Sequence, residues 1–168
     1  MNDILESIQA RRSVRTFTGA PVSRDQLTSA LMAAMAAPSA RNLKPWNFVV
    51  VTRRDTVSAL CKLHPYAGFG ANAGAVILPF GKKRDFKWFD QDMAAATENL
   101  LLALSSLGLG ATWCGMDDER QAAVRALVGL PEDQYLFAFI PVGVPAERPA
   151  PRTQYEASRV HWETFGGA

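Results

Sequence analysis

Residues 91–108 read QDMAAATENLLLALSSLG, and this stretch decides the fold because it predicts one long helix. Its large apolar residues recur at helical spacing, and further leucines and alanines cover most of the remaining circumference. The large residues are Met93, Leu100, Leu104 and Leu107. A helix that is apolar on nearly every side cannot face water. We therefore expect other elements of the chain or a second subunit to cover it.

The segment after this helix predicts a binding element. Gly108 ends the helix and Gly110 follows, and residues 111–115, ATWCG, have the composition of a short strand. Because this strand ends at a glycine, its backbone can be approached closely. We expect it to deliver backbone groups into a site.

The length and charge of the chain restrict its class. A chain of 168 residues favours a single domain, residues 1–168, since a domain of this size buries roughly 70% of the surface that its unfolded chain exposes. The net charge of +2 comes from dispersed lysines and arginines rather than from a basic run. Nucleic acid is therefore not expected as a partner.

The sequence also predicts a cytoplasmic protein. The first residues lack the basic and apolar regions of a secretory signal. The apolar runs are shorter than the ~20 residues that a membrane-spanning helix requires. Cys61 and Cys114 lie far apart, without a CxxC motif or a cluster of Cys and His, so we expect neither a disulfide framework nor a metal site.

The rest of the chain mixes strands with helices. Continuous apolar runs predict three strands covered on both faces, at residues 46–52, 75–80 and 136–144. Caps and apolar spacing predict further helices that start after Asp3, at the capping box of Ser23 and Gln26, near Asp55, and at Asp118 with Gln121. Pro38 should stop the second of them. This mixture predicts a central sheet with helices on both sides, and the Pro-rich residues 145–152 should cross the surface.

A cationic motif follows the first predicted helix. Residues 11–15, RRSVR, place three arginines and a serine within five positions. Guanidinium groups and a hydroxyl match the oxygens of a phosphate. Taken alone, the motif is equally consistent with a solvated charge cluster, because surface arginines are common.

Several motifs in order resemble the nitroreductase family of flavoproteins. The cationic motif with Phe17 is followed by AAPSARN at residues 36–42 and PWNFVV at residues 45–50. Residues 91–99, residues 107–113 and Gly115 are similar to the central helix and following strand of that family. Residues 149–152 and 160–162 are similar to the closing segment of its compact members. The resemblance covers almost the whole chain.

The resemblance implies a homodimer with an α+β fold, a three-layer sandwich in which helices flank a mostly antiparallel central sheet. Each of two FMN molecules would lie in a groove at the subunit interface. The residues that it assigns to the FMN phosphate are Arg11, Ser13, Arg15 and Arg152, with Arg12 as a further candidate. Pro38, Ser39 and Asn42 would line the isoalloxazine and ribityl chain from the second subunit. Cys114 and Gly115 would offer backbone groups near flavin N5 and O4.

The sequence departs from the family pattern at two places. Lys44 stands where the family often has Gln before the Pro-Trp pair. This difference either alters a contact to the flavin ring edge or the substrate, or leaves the lysine solvated. Residues 116–131 are too few to form the extra helices that cover the flavin in larger relatives. We therefore expect an open pocket.

The sequence shows no protein group that carries the chemistry itself. His64 and His161 lie far apart without a nucleophile between them, so each is interpreted as structural. The Cys114 thiol is expected to pack as a small apolar group. Phe86, Trp88 and Phe89 precede the central helix and belong either to the substrate side of the flavin or to the core.

The resemblance implies an FMN-dependent oxidoreductase that takes hydride from NADH or NADPH and passes electrons to a flat acceptor, such as a nitroaromatic or quinone. Because the cofactor carries the chemistry, no catalytic acid or base is needed. Two alternatives remain open: a flavin-binding or storage module without turnover, and a member of the same superfamily that catalyses reductive dehalogenation. The sequence leaves the natural acceptor and the choice between NADH and NADPH undecided.

Overall fold

The structure is a computed structural model that describes residues 4–83 and 87–167. The helices are α1 Ile4–Ala10, α2 Arg24–Met35, α3 Arg54–Leu63, α4 Phe89–Ser106 and α5 Asp118–Val128. The strands are β1 Asn47–Val51, β2 Ala75–Gly81, β3 Gly110–Ala111, β4 Cys114–Gly115, β5 Tyr135–Leu136 and β6 Ala138–Gly143. The expectations for Asp3 as a cap and for Phe86 lie outside the described residues.

The sheet is antiparallel at every pairing of these strands. Its order is β1-β2-β6-β3, with β5 beside β2 and β4 beside β6. Strands β2 and β6 are buried along nearly their whole length, as their continuous apolar runs predict. Strand β1 is only half-buried, because it lies at the edge of the sheet.

Helices cover both faces of the sheet. Val76 and Leu78 of β2 pack in one cluster with residues of α3 and α5. Ala75 and Ile77, which alternate with them, pack in a second cluster with α2 and α4. Since side chains alternate along a strand, the two clusters lie on opposite faces. The predicted three-layer α+β sandwich is confirmed.

Helix α4 is covered by the sheet and α2 on part of its circumference. Its fully or nearly buried apolar residues are Phe89, Met93, Ala96, Leu100, Leu101 and Leu104. Asn99 ties it to α2 by donating from Nδ2 to the Ala33 carbonyl at 3.1 Å. Ala95, Leu102 and Ala103 remain half-buried and Leu107 is exposed. The single chain therefore does not cover the whole apolar surface of this helix.

Two helix starts test the cap predictions. The Ser23 hydroxyl accepts the Gln26 backbone N–H at 3.1 Å, and the Gln26 side chain accepts the Ser23 N–H at 3.2 Å, which confirms the capping box. The start of α5 is capped by Asp117, whose side chain accepts the Arg120 N–H at 3.2 Å. Helix α5 begins at Asp118, as predicted, and the residue that caps it is the preceding aspartate.

Each central strand carries a proline at the point where its ladder with one of its two neighbours is interrupted. Leu78 and Pro79 of β2 face three residues, 137–139, so the chain forms a bulge that separates β5 from β6. Pro141 of β6 lies opposite Thr112, between β3 and β4, and accepts the Thr112 N–H at 3.3 Å without an N–H to return. The strand expected over residues 111–115 is therefore divided in two.

Candidate functional site

The segment after α1 runs beside β3. Ser13 forms a parallel bridge with Ala111, and the Val14 N–H donates to the Ala111 carbonyl at 3.0 Å. The Thr112 hydroxyl donates to the Val14 carbonyl at 2.6 Å. The Val14 side chain is buried against Gly110, where an added Cβ would lie 2.7 Å from the Val14 Cβ. Because side chains alternate in extended backbone, Ser13 and Arg15 project from the other side and are exposed.

Arg15 faces the segment that contains Cys114. Its guanidinium lies 5.9 Å from the centre of the Phe69 ring. Burial raises the pKa of the Cys114 thiol, and the positive charge of Arg15 opposes part of that rise. Burial, with a contribution from Cys114, raises the pKa of Cys61 to about 12. Both thiols are therefore neutral at physiological pH and do not supply a thiolate nucleophile.

Arg11 and Arg12 have different surroundings. Arg11 forms an ion pair with Glu98 of α4, with 3.4 Å between Nε and Oε1. Arg12 donates to the Ala150 carbonyl of the tail and lines a cavity of about 360 Å³ together with Val14 and Arg148. The structure therefore places Arg12 on the Val14 side of the segment and does not bring it together with Ser13 and Arg15.

The tail brings Arg152 to the start of the cationic segment. The Arg152 backbone N–H donates to the Gln9 carbonyl at 3.3 Å, near the end of α1. The Arg152 side chain is exposed. The predicted crossing of the surface by residues 145–152 is thus observed, and it brings a further arginine to the end of α1.

Gly115 offers accessible backbone at the end of β4. The residue is exposed, and a Cβ added to it would meet no atom within 4 Å. Its carbonyl is held from the protein side by His64, with 2.7 Å between Nε2 and the oxygen. A ligand can therefore approach this glycine from the open side.

The loop that follows α2 is held in an unusual backbone conformation. Arg41, Asn42 and Lys44 have φ angles of 55°, 56° and 49°, and each such residue other than Gly costs on the order of 1 kcal/mol or more. The Ser39 hydroxyl accepts the Lys44 N–H at 3.0 Å. Pro38 and Asn42 are exposed, and Ser39 is half-buried. Pro38 was predicted to stop α2, but the helix already ends at Met35, three residues earlier, and the loop begins there.

The loop and the cationic segment attach to different faces of α4. Asp92 of α4 binds the loop through the Ala40 N–H, whereas Glu98 of α4 binds Arg11. Six helical residues separate these contacts by about 9 Å along the axis and roughly 120° around it. A single chain therefore does not place Ser39 and Asn42 beside Ser13 and Arg15.

The aromatic residues before α4 divide between core and surface. Phe89 is 1% exposed and packs edge-on against Tyr135 and Phe137. Trp88 is 46% exposed, with the Lys87 ammonium 4.9 Å from its ring centre.

Lys44 is exposed beside a separate open cavity of about 620 Å³, which Pro45 and Phe80 also line.

Sequence reasoning missed three residues that shape the site. His64 binds the Gly115 carbonyl, Asp92 binds the loop, and Phe69 lies under Arg15. Each contact joins positions far apart in sequence, so spacing along the chain does not reveal it. The only local signal is the His-Pro pair at residues 64–65, which marks the end of α3.

Two other classes of site are not found among the described residues. Along residues 4–83 and 87–167, no helix is both long and apolar enough to cross a bilayer. The same part of the chain contains no group of three or more His, Cys, Asp or Glu residues that could hold a metal ion.

The fold and the site define a class of protein: an α+β sandwich in which exposed Ser13 and Arg15 lie beside the strand pair that ends at exposed Gly115. The model of the nitroreductase family matches residues 8–63 and 61–144. The chain belongs to the nitroreductase family.

Known proteins agree with this assignment. A relative from Methanothermobacter thermautotrophicus, described as a candidate NADH dehydrogenase/NAD(P)H nitroreductase, is 36% identical over 97% of this chain and 88% of its own length. The crystal structure of a protein with the same description from Bacteroides thetaiotaomicron is 33% identical and superimposes with a TM-score of 0.90, covering 97% of this chain and 98% of the other. A candidate nitroreductase from Desulfovibrio desulfuricans, crystallised in complex with FMN, is 29% identical with a TM-score of 0.85, covering 98% of this chain and 99% of the other.

Proposed function

We propose that this chain is an FMN-dependent oxidoreductase that transfers electrons from NADH or NADPH to a flat acceptor, such as a nitroaromatic or a quinone. The observation that carries the proposal is the pair of exposed side chains Ser13 and Arg15, which lie beside β3 with Arg15 close to Cys114, next to the exposed Gly115. Membership of the nitroreductase family and the FMN complex of the Desulfovibrio relative support it.

The residues of this candidate site fit the chemistry of FMN. Guanidinium and hydroxyl groups bind phosphate oxygens, and the open space beside Gly115 admits a flat ring against the backbone. In this arrangement Arg11, Ser13, Arg15 and Arg152 hold the phosphate end. The backbone of Cys114 and Gly115 orients the ring end as a set of fixed dipoles.

When bound, FMN supplies the redox chemistry, accepting hydride from a nicotinamide and passing electrons to the second substrate. The protein contributes binding and orientation. The neutral thiols of Cys61 and Cys114 pack in the core and take no part in the reaction. This division of labour accounts for the absence of a paired acid and base in the sequence.

A homodimer completes the site in this proposal. Helices α1 and α2 expose apolar side chains, namely Ile4, Leu5, Ile8, Met32 and Met35. The tail exposes three large aromatic residues, Tyr155, Trp162 and Phe165. Burying these surfaces against a second copy would also cover the half-buried side of α4. The loop of residues 38–42 would then line the flavin of the neighbouring subunit.

The protein is proposed to work in the cytoplasm. Its cysteines, Cys61 and Cys114, are buried and free, as is usual in a reducing compartment.

An anaerobic titration tests the function. The purified protein is loaded with FMN, freed of excess cofactor, and titrated with NADPH and, separately, NADH while the flavin absorbance is followed. We expect the bound flavin to bleach and then to recover when a nitroaromatic or quinone is added. Bound flavin that never bleaches with either nicotinamide would indicate a storage module, and failure to bind FMN would overturn the proposal.

A further inference from the structure

The buried imidazole of His64 occupies a defined position between the core and the candidate site. His64 follows the last residue of α3 and is 2% exposed. Its ring lies 5.2 Å from the ring centre of Phe139 and 6.2 Å from that of Tyr66. Phe139 is also the residue that pairs with Cys114 in the sheet. The imidazole therefore packs directly behind β4.

Both ring nitrogens of His64 have partners, and these partners set its tautomer. The Tyr66 backbone N–H, which can only donate, points to Nδ1 at 3.3 Å. Nδ1 must therefore be an acceptor, and Nε2 carries the proton. Nε2 then donates to the Gly115 carbonyl at 2.7 Å. The contact is a directed hydrogen bond whose polarity is fixed by the protein backbone.

Gly115 needs such a contact more than another residue would. It has no side chain, no atom lies within 4 Å of the position its Cβ would take, and β4 is only two residues long. Gly115 pairs with Ala138 of β6, but it is the last residue of this short strand, and glycine has the widest choice of backbone conformations. The hydrogen bond from His64 holds the Gly115 carbonyl and thereby the direction of the adjoining backbone groups.

We propose that His64 is a positioning residue for the flavin ring, acting through the Gly115 carbonyl. This inference rests on the proposed function, which assigns the backbone of Cys114 and Gly115 to the ring end of FMN. Fixed dipoles stabilise the charge that develops on reduction only if they are held in place beforehand. Loss of the Nε2 hydrogen bond should therefore weaken the binding of reduced FMN more than that of oxidised FMN, which lowers the reduction potential of the bound cofactor.

The test compares substitutions that keep or remove the donor. In His64→Gln the side-chain amide can reach the Gly115 carbonyl, in His64→Asn it is too short, and in His64→Phe the ring remains without a donor. His161→Phe is the matched control, because His161 is exposed and contacts Phe165 instead. The measurements are the FMN reduction potential by dye equilibration, the dissociation constant of oxidised FMN, and the free energy of unfolding.

We expect His64→Phe and His64→Asn to reduce the preference for reduced FMN about tenfold, which corresponds to about 30 mV for a two-electron couple. His64→Gln and His161→Phe should remain near the wild-type potential. A merely structural role would lower stability in all three His64 variants and leave their potentials equal to wild type, which would overturn the inference. If His64→Phe does not fold, equal potentials in the Gln and Asn variants would overturn it instead. Failure of the wild type to bind FMN would refute the proposed function and is a separate outcome.

Discussion

The Asp92 carboxylate binds the Ala40 backbone N–H with both of its oxygens, at 3.0 and 3.1 Å. Asp92 is 6% exposed, so this contact is shielded from solvent. It joins α4 to the loop in which Arg41, Asn42 and Lys44 adopt positive φ angles. A conformation of this kind persists only where surrounding contacts impose it. The Asp92 contact is therefore a main reason that the loop keeps its shape.

Removing this carboxylate should loosen the loop. We expect Asp92→Ala to lower the free energy of unfolding by about 2 kcal/mol, since a hydrogen bond to a charged group contributes roughly 1.5–3 kcal/mol. Trypsin should also cleave the folded variant faster after Arg41. The control is Asp90→Ala, which removes an exposed carboxylate paired with Lys83 at 3.4 Å and should cost at most about 0.5 kcal/mol. Equal cleavage rates in the two variants would contradict this role of Asp92.

Arg15 provides a test of the proposed FMN site. We expect Arg15→Ala to weaken FMN binding about 10- to 100-fold, since a charge-assisted hydrogen bond contributes roughly 1.5–3 kcal/mol. Flavin fluorescence titration measures the dissociation constant. Arg24→Ala, which removes an equal charge from the exposed first residue of α2, is the control and should bind FMN normally.

Arg12 gives a second comparison for the same proposed site. Because its side chain contacts the tail on the Val14 side, Arg12→Ala should weaken FMN binding less than Arg15→Ala does. The opposite order, or full retention of FMN by Arg15→Ala, would show that the phosphate is held elsewhere.

The dimer can be tested at α2. Light scattering of the wild type should give about twice the 18.3 kDa of one chain. Met32 is 69% exposed on α2, and we expect Met32→Asp to shift the protein to monomer and to release FMN, because a charge would be buried in the interface. Leu63→Asp, at the end of α3 in the opposite layer, should remain dimeric. A wild-type monomer that binds FMN tightly would refute the shared site.

A buried hydroxyl in α4 offers a stability test. Thr97 is fully buried, and its Oγ1 finds no hydrogen-bond partner among the residues that the structure describes. Thr97→Val keeps the branched shape and removes the unsatisfied group, so we expect a gain of about 1 kcal/mol in urea denaturation. Thr112→Val should instead lose about 1 kcal/mol, because the Thr112 hydroxyl donates to the Val14 carbonyl. A loss of stability in Thr97→Val would contradict the view that its hydroxyl is unsatisfied.

The open side of Gly115 leads to a kinetic prediction. If one cleft serves both nicotinamide and acceptor, they must bind in turn. Initial rates over a grid of both substrates should then give parallel double-reciprocal lines, the pattern of ping-pong kinetics. Each substrate should also inhibit competitively against the other at high concentration. Intersecting lines for every acceptor would establish a ternary complex and rule out a single shared cleft.

Local sequence patterns predicted most of the fold. The capping box at Ser23 and the apolar runs of β2 and β6 act over a few residues, so a linear reading detects them. The division of residues 111–115 into two strands was missed because its cause, Pro141, lies about 30 residues away. The apolar run of β1 predicted a strand covered on both faces, but it did not show that β1 lies at the sheet edge, since pairing partners are a property of the folded chain.

The candidate site was predicted less completely. The exposure of Ser13 and Arg15 agrees with their assignment to a ligand, and their roles remain predictions. The Arg12 side chain points to the opposite side of the segment from Ser13 and Arg15, because side chains alternate in the extended backbone beside β3. The sequence RRSVR does not show which of its arginines share a side. His64 and Asp92 were missed as contacts of the site because each acts on a backbone group far away in the chain.

The prolines of the two central strands also determine strand register. A strand that is apolar on both faces, such as β2, can slide by one residue without exposing hydrophobic surface, so burial alone does not select its alignment. Pro79 and Pro141 lack the N–H that a regular ladder requires, and each lies where the neighbouring strand bulges or breaks. A slipped alignment would move these gaps opposite intact carbonyls and leave those acceptors buried without donors. The absence of these two backbone N–H groups therefore favours the native strand register during folding. Other registers would bury as much apolar surface but would leave carbonyl groups without donors.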